Sequence, residues 1–276
     1  MADPNLINGV LVEHLEGGEL LEVELASHSH LGDALCVMNG LELWHRNYSQ
    51  DTKTVLRSAN GVFKDLCGIF EFEHIEGVKG VGGWNADALF DDCSWHRFWP
   101  RRFYYEICRV LSLEPKESTW MPRCKLGEWH IGPQIYAQLD GRSAMLLPDY
   151  AMKKMLDVAS FGNSESVIML GGPDTKEYMG VERSYAKVPL ISSASLLLRC
   201  HYLISCDSGM SHLAGFLGVP CYIVNCSAFD AVYAMFGRYK GFKFIDRAYV
   251  DGGVVVWTKG LQYDKDKNKE WETGEN

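Results

Sequence analysis

The stretch Leu203-Ile204-Ser205-Cys206-Asp207-Ser208-Gly209-Met210-Ser211-His212-Leu213-Ala214 decides how the chain is read. An apolar run passes directly into Asp-Ser-Gly, and a helical apolar pattern starts at Met210. The order is strand, polar turn, helix. At the carboxyl end of a parallel strand such a turn faces the crevice where α/β sheets bind ligands. The spacing predicts that the N–H groups of Gly209, Met210 and Ser211 point outward with the positive end of the helix dipole behind them, which suits a phosphate or diphosphate. Gly209 lets the backbone approach closely, and His212 in the first turn could donate to a phosphate oxygen. The same residues would also make an ordinary helix start, with Asp207 and Ser208 as caps. Both readings stay open on these residues alone.

The flanking sequence repeats the alternation. Val167 to Leu170 is a short apolar run closed by Gly171-Gly172-Pro173-Asp174, a strand and a turn. Met152, Met155, Leu156 and Ala159 recur at helical spacing between Asp149 and Gly162. Residues 193–199 read as helix, Tyr202 to Cys206 as strand, Met210 to Leu217 as helix and Cys221 to Asn225 as strand. Short apolar strands alternating with helices imply a parallel sheet covered on both faces. The second half is therefore expected to be α/β and Rossmann-like.

The first half alternates more weakly. Leu21, Val23 and Leu25 interleave with Glu22 and Glu24, a strand with one wet face. Ala34, Val37, Met38 and Leu41 form a helical stripe, Thr54 to Leu56 a strand, residues 61–69 a helix and Asp87 to Phe90 a further strand. Pro115, Pro122, Gly127 and Pro133 break regularity, which puts a domain boundary near residue 125 and gives domains 1–125 and 126–276. Between the strand at Leu21 to Leu25 and the helical stripe from Ala34, Ser27-His28-Ser29-His30-Leu31-Gly32-Asp33 again leads from strand through polar loop to helix. A carboxylate at Asp33 would be favoured as an anion by the helix dipole and could accept a proton from a bound hydroxyl. It would equally serve as a plain N-terminal helix carboxylate. Two histidines at this spacing are an incomplete ligand set, so no metal site is expected.

Composition narrows the class. With 276 residues, 47% hydrophobic and 23% charged, there is ample apolar material for a core, so a disordered or fibrous chain is excluded. No apolar run is long enough to span a bilayer, and Met1 to Gly18 lack the pattern of a signal peptide. Nine cysteines with no C-x-x-C, most of them in apolar stretches (Cys36, Cys67, Cys108, Cys200, Cys206, Cys221), are the usage of reduced thiols in a cytoplasmic protein. The net charge of −9 argues against bulk binding to nucleic acid or anionic membrane. It is unevenly spread, −7 over residues 1–125 and −2 over the rest.

The patterns His30-Leu31-Gly32-Asp33-Ala34-Leu35, Val167 to Pro173, and Asp207-Ser208-Gly209-Met210-Ser211-His212-Leu213-Ala214 followed by Leu217-Gly218-Val219-Pro220 occur in one order. Together they resemble the heptosyltransferase-like glycosyltransferases, glycosyltransferase family 9. The resemblance implies a GT-B architecture, two Rossmann-like domains facing across a cleft, with the acceptor bound by residues 1–125 and a nucleotide-sugar donor by 126–276. It implies inverting transfer without a metal or other cofactor, Asp33 as catalytic base, and Asp207, Ser208, Gly209, Met210, Ser211 and His212 at the donor, with Gly171 on the glycine turn. Arg142, in Asp140-Gly141-Arg142-Ser143, stands near the place of the family's basic residue, although the surrounding Thr/Ser-rich segment and Trp-Pro pair are missing. The donor would be a co-substrate and no integral membrane contact is implied.

The acceptor is less defined. Ser94 to Tyr105 interleaves Arg97, Arg101 and Arg102 with six aromatics. If exposed, these arginines and His30 would hold a phosphorylated glycan core such as lipopolysaccharide, or a hydroxylated base in DNA. The alternative is a helix whose aromatics are core and whose arginines are solvated. A non-catalytic nucleotide-sugar-binding protein would carry the same donor turn. Gly80-Val81-Gly82-Gly83 lacks the strand and helix that a dinucleotide fingerprint needs.

Overall fold

The structure is a computed structural model that describes residues 20–25, 30–48, 52–58, 60–79, 84–86, 102–116, 120–138, 156, 160, 166–171, 182–186, 188–205, 208–223 and 255–257. The chain divides into two compact units, Met1–Leu126 and Gly127–Asn276. Among the described residues no helix is long and apolar enough to cross a membrane.

In the first unit, strands β1 (Leu20–Leu25), β2 (Lys53–Ser58), β4 (Ile75–Lys79) and β5 (Trp84–Asn85) form one parallel sheet in the order β4-β2-β1-β5. Alternation decides β1: Leu21, Val23 and Leu25 are buried, and half-buried Glu22 meets Arg57 of β2 at 3.1 Å. Helix α1 (Leu31–Tyr48) follows β1, and α2 (Val62–Ile69) follows β2. A two-stranded antiparallel ribbon joins β3 (Phe70–Glu71) to β6 (Arg123–Cys124). Strand β4 has no clear sequence signal, since Glu76 and Gly77 interrupt it. Gly77 is required by packing: a Cβ there would stand 2.4 Å from the Phe63 carbonyl oxygen of α2. The expected strand at Asp87 to Phe90 lies outside the described residues, just beyond β5.

Helix α1 departs from its expected single stripe. Every residue from Ala34 to His45 is buried, because α3 (Arg102–Val110) packs on it as well as the sheet. Contact is close at Gly40, where a Cβ would lie 2.6 Å from the Tyr104 backbone nitrogen. On α3, Phe103, Tyr104, Ile107 and Cys108 are buried and Arg109 is exposed, so this part of the basic-aromatic stretch is core-forming. The Tyr104 hydroxyl accepts from Asn47 Nδ2 (3.2 Å) and the Lys116 amide (2.9 Å), tying residues 113–116 to both helices. Its burial raises the phenol well above the usual value.

Burying α1 on all sides also buries polar groups, and these need partners. Glu42 receives Arg46 Nε at 3.0 Å and the amides of Glu73 (3.4 Å) and His74 (3.2 Å). Arg46 continues to Glu73 at 3.1 Å and lies 4.3 Å over the Trp120 ring. His45 Nε2 meets Thr54 Oγ1 at 2.6 Å.

The second unit is a six-stranded parallel sheet in the order β12-β11-β10-β7-β8-β9, built from β7 (Gln134–Gln138), β8 (Val167–Gly171), β9 (Glu182–Ala186), β10 (Cys200–Ser205), β11 (Cys221–Ile223) and β12 (Val255–Trp257). Counted within the unit this is 3-2-1-4-5-6 from β9 across to β12, the order of dinucleotide-binding folds. The first unit's sheet has the first four places of the same order. Helix α4 (Leu190–Leu197) precedes β10 and α5 (Gly209–Phe216) follows it. Strand β7 enters beside β10 through His130 N–H to the Leu198 carbonyl (2.9 Å) and Gly132 N–H to the Cys200 carbonyl (3.1 Å). A Cβ on Gly132 would stand 1.8 Å from the Arg199 oxygen, so only glycine fits.

Gly40→Ala tests the α1–α3 packing. Alanine gains about 1 kcal/mol of helix propensity over glycine, whereas overpacking against backbone costs about 1–3 kcal/mol. The clash should win, and urea denaturation should show a lower midpoint. A higher midpoint would contradict the close contact.

Candidate functional site

In both units the strand order reverses next to the first strand: between β1 and β5 in the first, between β7 and β10 in the second. Connections leave such neighbours toward opposite faces, which opens a crevice at their carboxyl ends. The register pairs Ser205, last in β10, with Gln138, last in β7. The turn that carries Ser208 therefore stands at the reversal point of the second unit.

Ser208 caps α5 with extended backbone, φ −150° and ψ 171°. Its amide donates to Ser211 Oγ at 3.4 Å, and Ser211 Oγ donates to the Ser208 carbonyl at 2.7 Å. The Ser208 hydroxyl donates to Gln138 Oε1 at 2.9 Å and lies 3.1 Å from Ser205 Oγ. The Ser211 and His212 amides reach back to the Ser208 carbonyl at 3.1 and 3.4 Å. That leaves the amides of Gly209 and Met210 as the first-turn N–H groups without a partner inside the helix, at its positive end. Gly209 and Met210 are half-buried as residues.

His212 is buried, and burial lowers its imidazole to about 4. At neutral pH it is uncharged and would meet a phosphate as a neutral N–H donor. Gly171 ends β8 on the same carboxyl edge, one strand beyond β7, as a strand residue and not yet turn. Ser208, Gly209, Met210, Ser211 and His212 thus come together. Asp207, Arg142, Arg97 and Arg101 lie outside the described residues, and Arg102 opens α3. Sequence reading missed Gln138 and Ser205. Their signal is a polar residue ending a buried apolar strand.

In the first unit Asp33 is half-buried in the first turn of α1, whose first bond runs from the Ala34 amide to the His30 carbonyl at 2.9 Å. Both residues therefore sit at the helix start that follows β1, beside that unit's reversal point. Among the described residues, Glu42, Glu73 and His74 offer ligand atoms within 4.8 Å of one another. Arg46 contacts both carboxylates, so this cluster is an arginine cradle.

No protein-family model and no curated protein matches the chain. Solved structures do. The heptosyltransferase TibC of enterotoxigenic E. coli H10407, described as dodecameric and iron-containing and solved in complex with ADP-D-β-D-heptose, matches with TM-score 0.52 at 14% identity over 74% of this chain. The match spans 58% of TibC's own length. The glycosyl transferase family 9 protein of Veillonella parvula DSM 2008 matches with TM-score 0.51 at 12% identity, covering 92% of this chain and 91% of that one.

The fold is heptosyltransferase-like GT-B. Each unit has one helix start beside its own strand reversal, the one with Asp33 in the first and the one with Ser208 to His212 in the second.

The burial of His212 sets a pH dependence. Folded, its value is about 4 against 6.5 for an unperturbed imidazole. Between those values the unfolded chain binds more protons, so the stability tied to the buried neutral ring is full above pH 6.5 and is lost as pH falls toward 4. His212→Asn should shrink the drop in melting temperature between pH 7 and pH 5. An equal drop in both proteins would contradict a buried neutral imidazole.

Proposed function

We propose that the protein is an inverting glycosyltransferase that moves a sugar from a nucleotide-sugar donor to an acceptor hydroxyl, with residues 126–276 holding the donor and 1–125 the acceptor. The observation that carries this reading is the pair of first-turn amides on Gly209 and Met210, without a partner inside α5, at the carboxyl-edge reversal of a parallel sheet. Two N–H groups at the positive end of a helix suit a diphosphate. They bind it more tightly as negative charge builds on the leaving oxygens, which is what lowers the barrier.

In the proposed reaction Asp33 accepts the acceptor's hydroxyl proton and the freed oxygen attacks the anomeric carbon. The bond from that carbon to the diphosphate breaks, and the nucleoside diphosphate leaves with the electron pair. Helix amides, His212 as a neutral donor and, from the resemblance, Arg142 carry the leaving charge without a metal. TibC's iron and its bound ADP-heptose belong to TibC, and they make metal dependence and ADP-heptose the first variables to test. A glycan core is the acceptor we propose first; of the basic-aromatic stretch, Phe103 and Tyr104 are buried in the first unit's core. A cytoplasmic location accords with the buried thiols of Cys36, Cys108, Cys200 and Cys221.

The test is release of nucleoside diphosphate from ADP-heptose and a panel of UDP-, GDP- and CDP-sugars, with glycan-core acceptors. Wild type should turn over one of them, chelators should leave the rate unchanged, and Asp33→Asn should lower kcat by about 10²–10⁴ while the donor still binds. Turnover that survives Asp33→Asn would overturn the base assignment. Binding without release for every acceptor would replace the enzyme by a nucleotide-sugar-binding protein.

A further inference from the structure

The hydrogen bond from Ser208 Oγ to Gln138 Oε1 crosses the strand reversal and joins residues 70 positions apart in sequence. A serine hydroxyl has one proton to give. With that proton on Gln138, the 3.1 Å contact between Ser205 Oγ and Ser208 Oγ must be made by the Ser205 proton. The Ser208 amide goes to Ser211 Oγ and the Ser208 carbonyl receives Ser211 Oγ and two helix amides. Each polar group of Ser208 is thus engaged within the protein. Ser208 holds the turn, and the N–H groups beside it are the ones left for a ligand.

Gln138 is the far anchor of this arrangement. It is 8% exposed at the last position of β7, fixed by the sheet, whereas Ser208 lies beyond the end of β10, at the start of α5. Ser205 and Ser211 are fully buried, Gln138 nearly so and Ser208 half-buried, so the four form a polar chain largely shielded from water. Such a chain fixes one geometry, because a shift of the turn would leave buried groups unsatisfied.

We propose that Gln138 is a positioning residue for anion binding: by accepting the Ser208 hydroxyl's hydrogen bond it locks the start of α5 so that the Gly209 and Met210 amides face a donor diphosphate. This rests on the donor-site reading above. Gln138 itself touches no reacting atom and acts through Ser208.

The experiment is a double-mutant cycle on full-length protein with Gln138→Leu, Ser208→Ala and the two combined. Each protein is titrated calorimetrically with ADP, UDP, GDP and CDP, and melting temperatures are recorded alongside. Each single variant should weaken the preferred diphosphate's Kd about tenfold, and the double variant should be no weaker than either single, because both remove one bond. In turnover with the corresponding nucleotide sugar, KM should rise and kcat should fall as well, because the displaced amides also stabilise the leaving charge.

A purely structural role would lower melting temperatures and leave the Kd of the folded protein where it was, which would overturn the proposal. So would losses that multiply in the double variant. Should Gln138→Leu fail to fold, Ser208→Ala alone decides, since it deletes the same bond from the other end. If wild type binds none of the four diphosphates, the donor reading falls and takes this proposal with it. If wild type binds and the variants bind equally well, the proposal alone falls.

Discussion

Two parallel strands lie side by side, β7 and β10, at the point where the strand order of the sheet reverses. Everything proposed for the second unit depends on that constraint. A sheet of purely parallel strands must cover both faces with helices. Where the winding direction changes, the loops separate and backbone amides at a helix start are left facing solvent. Here that place holds Ser208, and the polar strand ends Gln138 and Ser205 sit beneath it. The proposed anion-binding geometry follows from strand order before any particular side chain is considered, and in the proposal the side chains then keep it from drifting.

The first unit shares the strand order and meets a different demand. Its α1 is buried on every side, so Glu42 and His45 are inside the protein. Glu42 is kept as a partner for Arg46 and for two amides of the segment leading into β4, and Arg46 is in turn covered by Trp120. Removing one member of a buried ion pair typically costs about 3–5 kcal/mol, because the other charge stays behind. This set of contacts holds the helix that carries Asp33 at its start. The basic-aromatic stretch contributes here too, since Phe103 and Tyr104 supply the surface on which Gly40 packs.

Much of the architecture was legible in short apolar runs that end in polar turns. β1, β8, β10 and α5 stand within about two residues of their expected limits, because each buries a run that periodicity detects. β7 was not legible. Gln-Ile-Tyr-Ala-Gln offers three apolar residues between two amides, and its burial is imposed by β8 and β10 on either side. β4 escaped for a similar reason, its glycine being required by α2. At the site, Ser208 to His212 were visible as a strand-turn-helix signature. Gln138 carries only the weak signal of a polar strand end, because its partner is far away in sequence and a hydrogen bond across a strand reversal leaves no periodic trace.

The most direct test of the account is an amide-resolved NMR titration of the full chain with the nucleoside diphosphate it prefers. The account predicts that the Gly209 and Met210 amide protons move downfield together at saturation, as charge-assisted hydrogen bonds form, while the Ser211 amide, already bonded within the helix, moves little. Binding that shifts other amides and leaves Gly209 and Met210 in place would contradict it.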